Sequence, residues 1–184
     1  SEGYRDEGAV LVGVRSQPDP AAVAPAVDPS TPTRLHDTVA YPLGGGNATQ
    51  LDIYPDGLDP QRTALLVGRV QDRDGAGLGR VTVRVVGSLA QGITATRADG
   101  RFEVVVNGGG AVTLQFFRFG YYPVYRTVKV GWHAWATLDD VVMSVPDGVT
   151  TTVPAVPATD VVHQSSTVTD GAGSRTSYLR FPQG

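Results

Sequence analysis

Phe102-Glu103-Val104-Val105-Val106-Asn107-Gly108-Gly109-Gly110-Ala111-Val112-Thr113-Leu114-Gln115-Phe116-Phe117 decides the fold. In an extended chain Phe102, Val104 and Val106 fall on one face, with Glu103 and Val105 on the other. After the glycine-rich turn, Val112, Leu114 and Phe116 take the inward positions opposite Thr113, Gln115 and Phe117. A period of two on both sides of Asn-Gly-Gly-Gly predicts a β-hairpin with a buried face. Upstream, Val81-Thr82-Val83-Arg84-Val85 puts three valines on one face, and Ile93 to Arg97 is a short strand closed by Asp99-Gly100. Leu65 to Val70 runs into the turn Asp72-Arg73-Asp74-Gly75, and Val124–Val130 and Leu138–Val145 follow downstream. Seven short strands at turn spacings of roughly ten residues predict an all-β protein, a seven-stranded Greek-key β-sandwich over 64–146.

The flanks have a different texture. Residues 1–63 carry 8 of the 13 prolines and read as an extended, Pro- and Gly-rich arm with one short strand, Ala9 to Val14. Residues 147–184 read as an extended Thr- and Pro-punctuated linker. They end in a hairpin from Val161–Val168 to Thr176–Phe181, turning at Asp170-Gly171-Ala172-Gly173. A two-stranded hairpin is marginal in water, so a partner surface is expected for it.

Composition excludes most other classes. The 184 residues hold 28 Val but only 3 Glu, 1 Lys and 1 Met. That balance excludes a helical bundle, a coiled coil and most α/β enzymes. No apolar run approaches the roughly 18 residues of a membrane-spanning helix, so no membrane insertion is expected. With no Cys there is no disulfide framework, thiolate metal site or Cys nucleophile. A net charge of −3 gives no electrostatic case for nucleic acid. The basic residues are 14 Arg to 1 Lys, which reads as a GC-rich genome. Ser1 to Glu7 is polar, unlike a signal peptide, and a processed fragment of a longer protein is expected.

Candidate chemistry is sparse. His36, His133 and His163 lie in three different zones without metal-ligand spacing, and no nucleophile elbow is present. Neither catalysis, a metal nor a cofactor is expected. Asp72-x-Asp74-Gly75 opens like a calcium loop, but its twelfth position is Val83, so a hairpin turn is expected. Asn47-Ala48-Thr49 fits the short N-glycosylation triplet. Most aromatic content lies between Phe116 and Trp135. Phe117 and Phe119 alternate away from Phe116, so both faces of that strand are apolar and one should meet an arm or a neighbouring chain. Val10, Val12, Val14, Phe117, Phe119, Tyr122, Trp132 and Trp135 are the expected interaction residues.

Val67-Gly68-Arg69-Val70, Asp72-x-Asp74-Gly75 and Val81-Thr82-Val83 resemble the opening of a transthyretin-like, or carboxypeptidase regulatory-like, β-sandwich. Thr96 to Phe102, Val106 to Gly110, Gly120-Tyr121-x-Pro123-Val124-x-Arg126, Trp132 and Asp140 to Met143 extend the likeness. Together they resemble the transthyretin-like domain of teneurins and bacterial Rhs/YD-repeat proteins. It departs at Gly131, where that family usually has proline.

The resemblance implies a non-catalytic scaffold segment of a YD-repeat assembly, extracellular or at the cell surface of a bacterium. Its partners would be protein, either the rest of a larger assembly or identical subunits. A second expectation is a self-assembling surface subunit, a filament or adhesin, whose arms add strands to neighbouring subunits.

Overall fold

The computed structural model describes residues 18–24, 26, 28–30, 32, 35–43 and 48–184. The run Ala9 to Val14 lies outside the described residues, as does Asn47. The chain divides between Ser144 and Val145 into two compact units.

The first unit is a two-sheet sandwich. Strands are β1 (Leu51–Ile53), β2 (Thr63–Gln71), β3 (Thr82–Val85), β4 (Gln91–Ala95), β5 (Arg101–Asn107), β6 (Gly110–Phe117), β7 (Val124–Val130), β8 (Trp135–Thr137) and β9 (Val141–Val142). One sheet has the order β1-β4-β3-β6-β7; the other runs β5-β2-β8, with β9 also on β2. Alternation works as expected: Val81, Val83, Val85, Phe102, Val104, Val106, Val112, Leu114 and Phe116 line one core. The Phe102 and Phe116 rings meet edge to face, with centroids 5.4 Å apart. Asp72 folds its turn through Oδ1, which accepts the N–H groups of Asp74 and Ala76, both at 2.9 Å. Gly100 sits at φ +83°, and a Cβ there would lie 2.1 Å from the carbonyl oxygen of Val70, so only glycine fits this turn.

Three features differ from the sequence reading. The last sandwich strand is not Leu138–Val145 but two pieces, β8 and β9, both parallel to β2. The break coincides with Asp139 and Asp140, two exposed carboxylates whose charge keeps this stretch facing water. The fourth strand ends at Ala95, where the Thr96 N–H still donates to the Val81 carbonyl but the Thr96 hydroxyl replaces its carbonyl in the return bond. That buried hydroxyl donates to the Leu78 carbonyl and accepts the Val81 N–H.

The third difference is upstream. Residues 35–43 and 48–58 pack on the sandwich as a strap rather than extending as an arm. Short helix α1 (Pro20–Val23), capped by Asp19, precedes α2 (Leu35–Thr38) and a 3-10 turn at Tyr41–Leu43. Val39 is buried with Leu65 and Val105, and Leu35, Leu43 and Leu58 close around them. Val105 does alternate away from the main core, but the strap makes its face a second core.

Gln50 closes the corner of the sandwich beneath that strap. It is fully buried; its Nε2 donates to the carbonyls of Gln91 (2.6 Å) and Val105 (2.8 Å), and its Oε1 accepts the Val105 N–H (2.8 Å). One side-chain amide thus occupies the β5 edge as a neighbouring strand would and ties it to β4 in the other sheet. Gln91 repeats the device by accepting the Asn107 N–H.

The second unit holds two stacked ladders. β10 (Val161–Gln164) pairs with β13 (Tyr178–Phe181), and β11 (Val168–Asp170) with β12 (Gly173–Arg175). The expected hairpin is thus interrupted once, and it turns where Asp170 to Gly173 predicted. Two carboxylates fasten it. Asp147 lies below its ordinary value of 3.8 because the N–H groups of Val149 and Ser166 donate to it. Asp160 is lowered by the Gln183 N–H and then by the Arg180 guanidinium. A depressed carboxyl stabilises the fold above its unfolded value and loses that effect as pH falls through the folded value. The hairpin should therefore loosen only below the ordinary carboxyl range. Amide exchange at Ser166 and Gln183 is expected to rise there, and Asp160→Asn should produce the rise at Gln183 at neutral pH.

Candidate interaction flank

Strand β7 bounds one sheet and β8 the other, and residues 131–134 join them. The pairing Phe116↔Val124 and Leu114↔Arg126 turns Val124, Arg126 and Val128 toward the interior and Tyr125, Thr127 and Lys129 outward. Between Glu103 and Asp139 the chain has no acidic residue, while Arg118, Arg126 and Lys129 are all there. This flank is basic and aromatic.

The expected interaction residues separate into three places. Phe119 is 93% exposed in the turn before β7, with the half-exposed Tyr122 nearby. That turn is fixed: the Tyr122 N–H donates to the Ser144 carbonyl, and the Arg118 guanidinium lies 5.1 Å over the Tyr121 ring. Trp132 and Trp135 lie at the other end of β7, seven residues or about 23 Å away at strand rise. Trp135 stands on β8 opposite Leu65 and is 66% exposed. Trp132 is pinned rather than loose, since its indole lies so close to Gly109 (φ +102°) that a Cβ would fall 1.9 Å from Nε1. The glycine turn thus fixes an exposed indole beside Lys129, at the rim of a shallow cavity of about 570 Å³. Phe117 joins neither group; it is half-buried on the outward face of the β3–β6 pair.

Tyr125 belongs to the aromatic stretch but not to the expected interaction residues. Its hydroxyl accepts from Gln115 Nε2 at 2.7 Å, and Gln115 Oε1 accepts from Arg84 at 2.5 Å, a polar chain across three strands. The alternation that marks Phe117 as outward also places Tyr125 on that face.

A second cavity, about 500 Å³, brings His36 and His133 together beside Asp37. His36 Nδ1 lies 3.0 Å from the buried Thr63 hydroxyl, and that hydroxyl donates to the Asp59 carbonyl at 3.1 Å. With the hydroxyl proton committed, the imidazole must be the donor. The arrangement orients the ring and does not activate Thr63 as a nucleophile. Among the described residues, no group of three His, Cys, Asp or Glu side chains is placed to hold a metal ion, and no helix is long and apolar enough to cross a membrane.

Two sheets, seven principal strands and an interrupted parallel edge make this sandwich a transthyretin-like domain. Residues 58–143 match the family described as the teneurin TTR-like domain. Teneurin-m of Drosophila melanogaster is 46% identical over 86 residues, covering 47% of this chain and 3% of that protein. Teneurin-3 of Danio rerio is 29% identical over 133 residues, 70% of this chain and 5% of the relative. The chain therefore spans a small fraction of the length of these relatives. They are animal proteins, whereas the sequence reading expected a bacterial one. Among solved structures, a streptococcal ancillary pilin is similar at 11% identity with TM-score 0.33, covering 66% of this chain and 50% of the pilin.

Proposed function

We propose that the chain is a non-catalytic structural segment of a larger YD-repeat protein of the teneurin and Rhs kind, acting by protein–protein packing at the cell surface or outside the cell. The observation that carries this reading is the basic, aromatic flank with its two fixed ends, Phe119/Tyr122 and Trp132/Trp135, on a teneurin-type domain. Exposed aromatics held by backbone hydrogen bonds and glycine packing suit a docking face, because little side-chain entropy is lost when a partner covers them. Addition of a foreign strand at β7 is the weaker reading. Arg126 carries a charge on the inward face of that edge strand, and its Nη1 already donates to the Tyr125 carbonyl; both features blunt edges.

The encoding reading frame tests the proposal. YD repeats downstream of Gly184 are expected, and a stop codon there would favour an independent subunit. Within such a protein, Trp135→Ala and Phe119→Ser should change stability by no more than about 0.5 kcal/mol, as exposed sites do. Both should weaken the hold on the following module, read as faster limited proteolysis between the two.

A further inference from the structure

The turn between β5 and β6 holds Asn107-Gly108, the one Asn-Gly pair in the chain; the other asparagine, Asn47, precedes alanine. Asparagine loses its side-chain amide most readily before glycine, where no Cβ keeps the following nitrogen from the asparagine Cγ. The fold nevertheless calls for both residues. A Cβ on Gly108 would lie 2.1 Å from the Gly131 carbonyl oxygen. Asn107 stitches the turn to the loop before β2: its Nδ2 donates to the Gly57 carbonyl at 2.9 Å, and its Oδ1 accepts the Asp59 N–H at 2.8 Å. Arg62 grips Gly108 from both sides. Its carbonyl accepts the Gly108 N–H at 2.7 Å, and its Nη2 donates to the Gly108 carbonyl at 3.0 Å.

We infer that Asn107 is a spontaneous deamidation site which the 57–62 loop keeps closed, and that its conversion irreversibly unties that loop from the turn. In the reaction the Gly108 nitrogen bonds to Asn107 Cγ and the bond from Cγ to Nδ2 breaks. The Gly108 amide proton leaves with Nδ2 as ammonia, and water opens the resulting succinimide ring to aspartate or isoaspartate. Water is the one co-reactant, and nothing is oxidised or reduced. In the closed turn both participants are engaged, the attacking nitrogen by Arg62 and the leaving amide by Gly57. Reaction therefore waits on local opening, and its rate in the folded chain follows the open fraction. Afterwards the tie cannot be remade. An aspartate oxygen would face the Gly57 carbonyl where Nδ2 donated, and isoaspartate adds a methylene to backbone already packed against Gly131.

Peptide mapping by mass spectrometry in mildly alkaline buffer tests the gate. Aspartate and isoaspartate at position 107 should form at least about tenfold more slowly in the folded chain than in the urea-unfolded chain. Arg62→Ala, which removes the guanidinium from the Gly108 carbonyl, should deamidate at a rate between the two. Equal rates in the folded and unfolded chain, or no acceleration by Arg62→Ala, would overturn the inference. In case Arg62→Ala unfolds, Asn107→Asp reads the consequence directly. Its amide exchange at Asp59 and Gly108 should rise at least about tenfold while that at Leu114 in β6 stays unchanged. An unchanged Asp59, or an equal rise at Leu114, would overturn it.

Discussion

Gln50→Ala is expected to destabilise the sandwich by about 3 to 5 kcal/mol. The substitution leaves the Val105 N–H, the Val105 carbonyl and the Gln91 carbonyl without the amide that pairs them. Each orphaned buried group costs about 1 to 3 kcal/mol, and partial entry of water keeps the total below the simple sum. Gln50→Leu keeps most of the volume but none of the pairing, so it should recover little of the loss. Gln50→Glu should be at least as harmful as alanine, because it places a carboxylate against two carbonyl oxygens in a buried site. Urea unfolding monitored by far-UV circular dichroism gives the numbers. A loss below about 1 kcal/mol for alanine would show that the corner between β4 and β5 closes without the clamp.

Phe116→Ala should cost a similar amount, about 3 to 5 kcal/mol, for a different reason. Phe116 is fully buried and its ring stands against Phe102 at an interplanar angle of 67°. Truncation removes apolar contact and leaves a cavity between two sheets that are each held by their own ladders and cannot close on it. In a double-mutant cycle with Phe102→Ala, the two rings should couple by about 0.5 to 1.5 kcal/mol beyond their separate losses. A Phe116→Ala loss under about 1 kcal/mol would mean that Phe117, and not Phe116, faces the core.

The two substitutions fall on opposite sides of what the sequence makes legible. Phe116 is readable because alternation over Val112, Leu114 and Phe116 is local, and one face of a hairpin must find a core. The turns at Asp74-Gly75 and Asp99-Gly100 are readable because side-chain capping and positive φ are local chemistry. Gln50 is not readable. Its partners lie 41 and 55 residues away, and a glutamine in a Pro- and Gly-rich stretch carries no mark of burial. The strap escapes for the same reason: Val39, Leu43 and Leu58 have no common period, since a segment crossing a sheet face touches it only where the pleat allows. Val105 carried the available signal, as an apolar residue on a strand face expected to be polar. The break between β8 and β9 also shows how two adjacent carboxylates outweigh the apolar pattern of Leu138 to Val145. At the flank, the concentration of aromatic residues was legible. The separation of Phe119 and Tyr122 from Trp132 and Trp135 was not, because it depends on where β7 lies at the rim of the sandwich.

Trp132 and Trp135 are the only tryptophans in the chain, and they test the central claim that this flank is a packing face. Hydroxyl-radical footprinting read by mass spectrometry should be carried out on the 184-residue chain and on the longer polypeptide proposed to contain it. Oxidation of both indoles should be high in the chain alone, as their exposure requires, and should fall several-fold in the longer polypeptide. Equal oxidation in the two states would contradict the account, leaving the aromatic flank as surface that nothing covers.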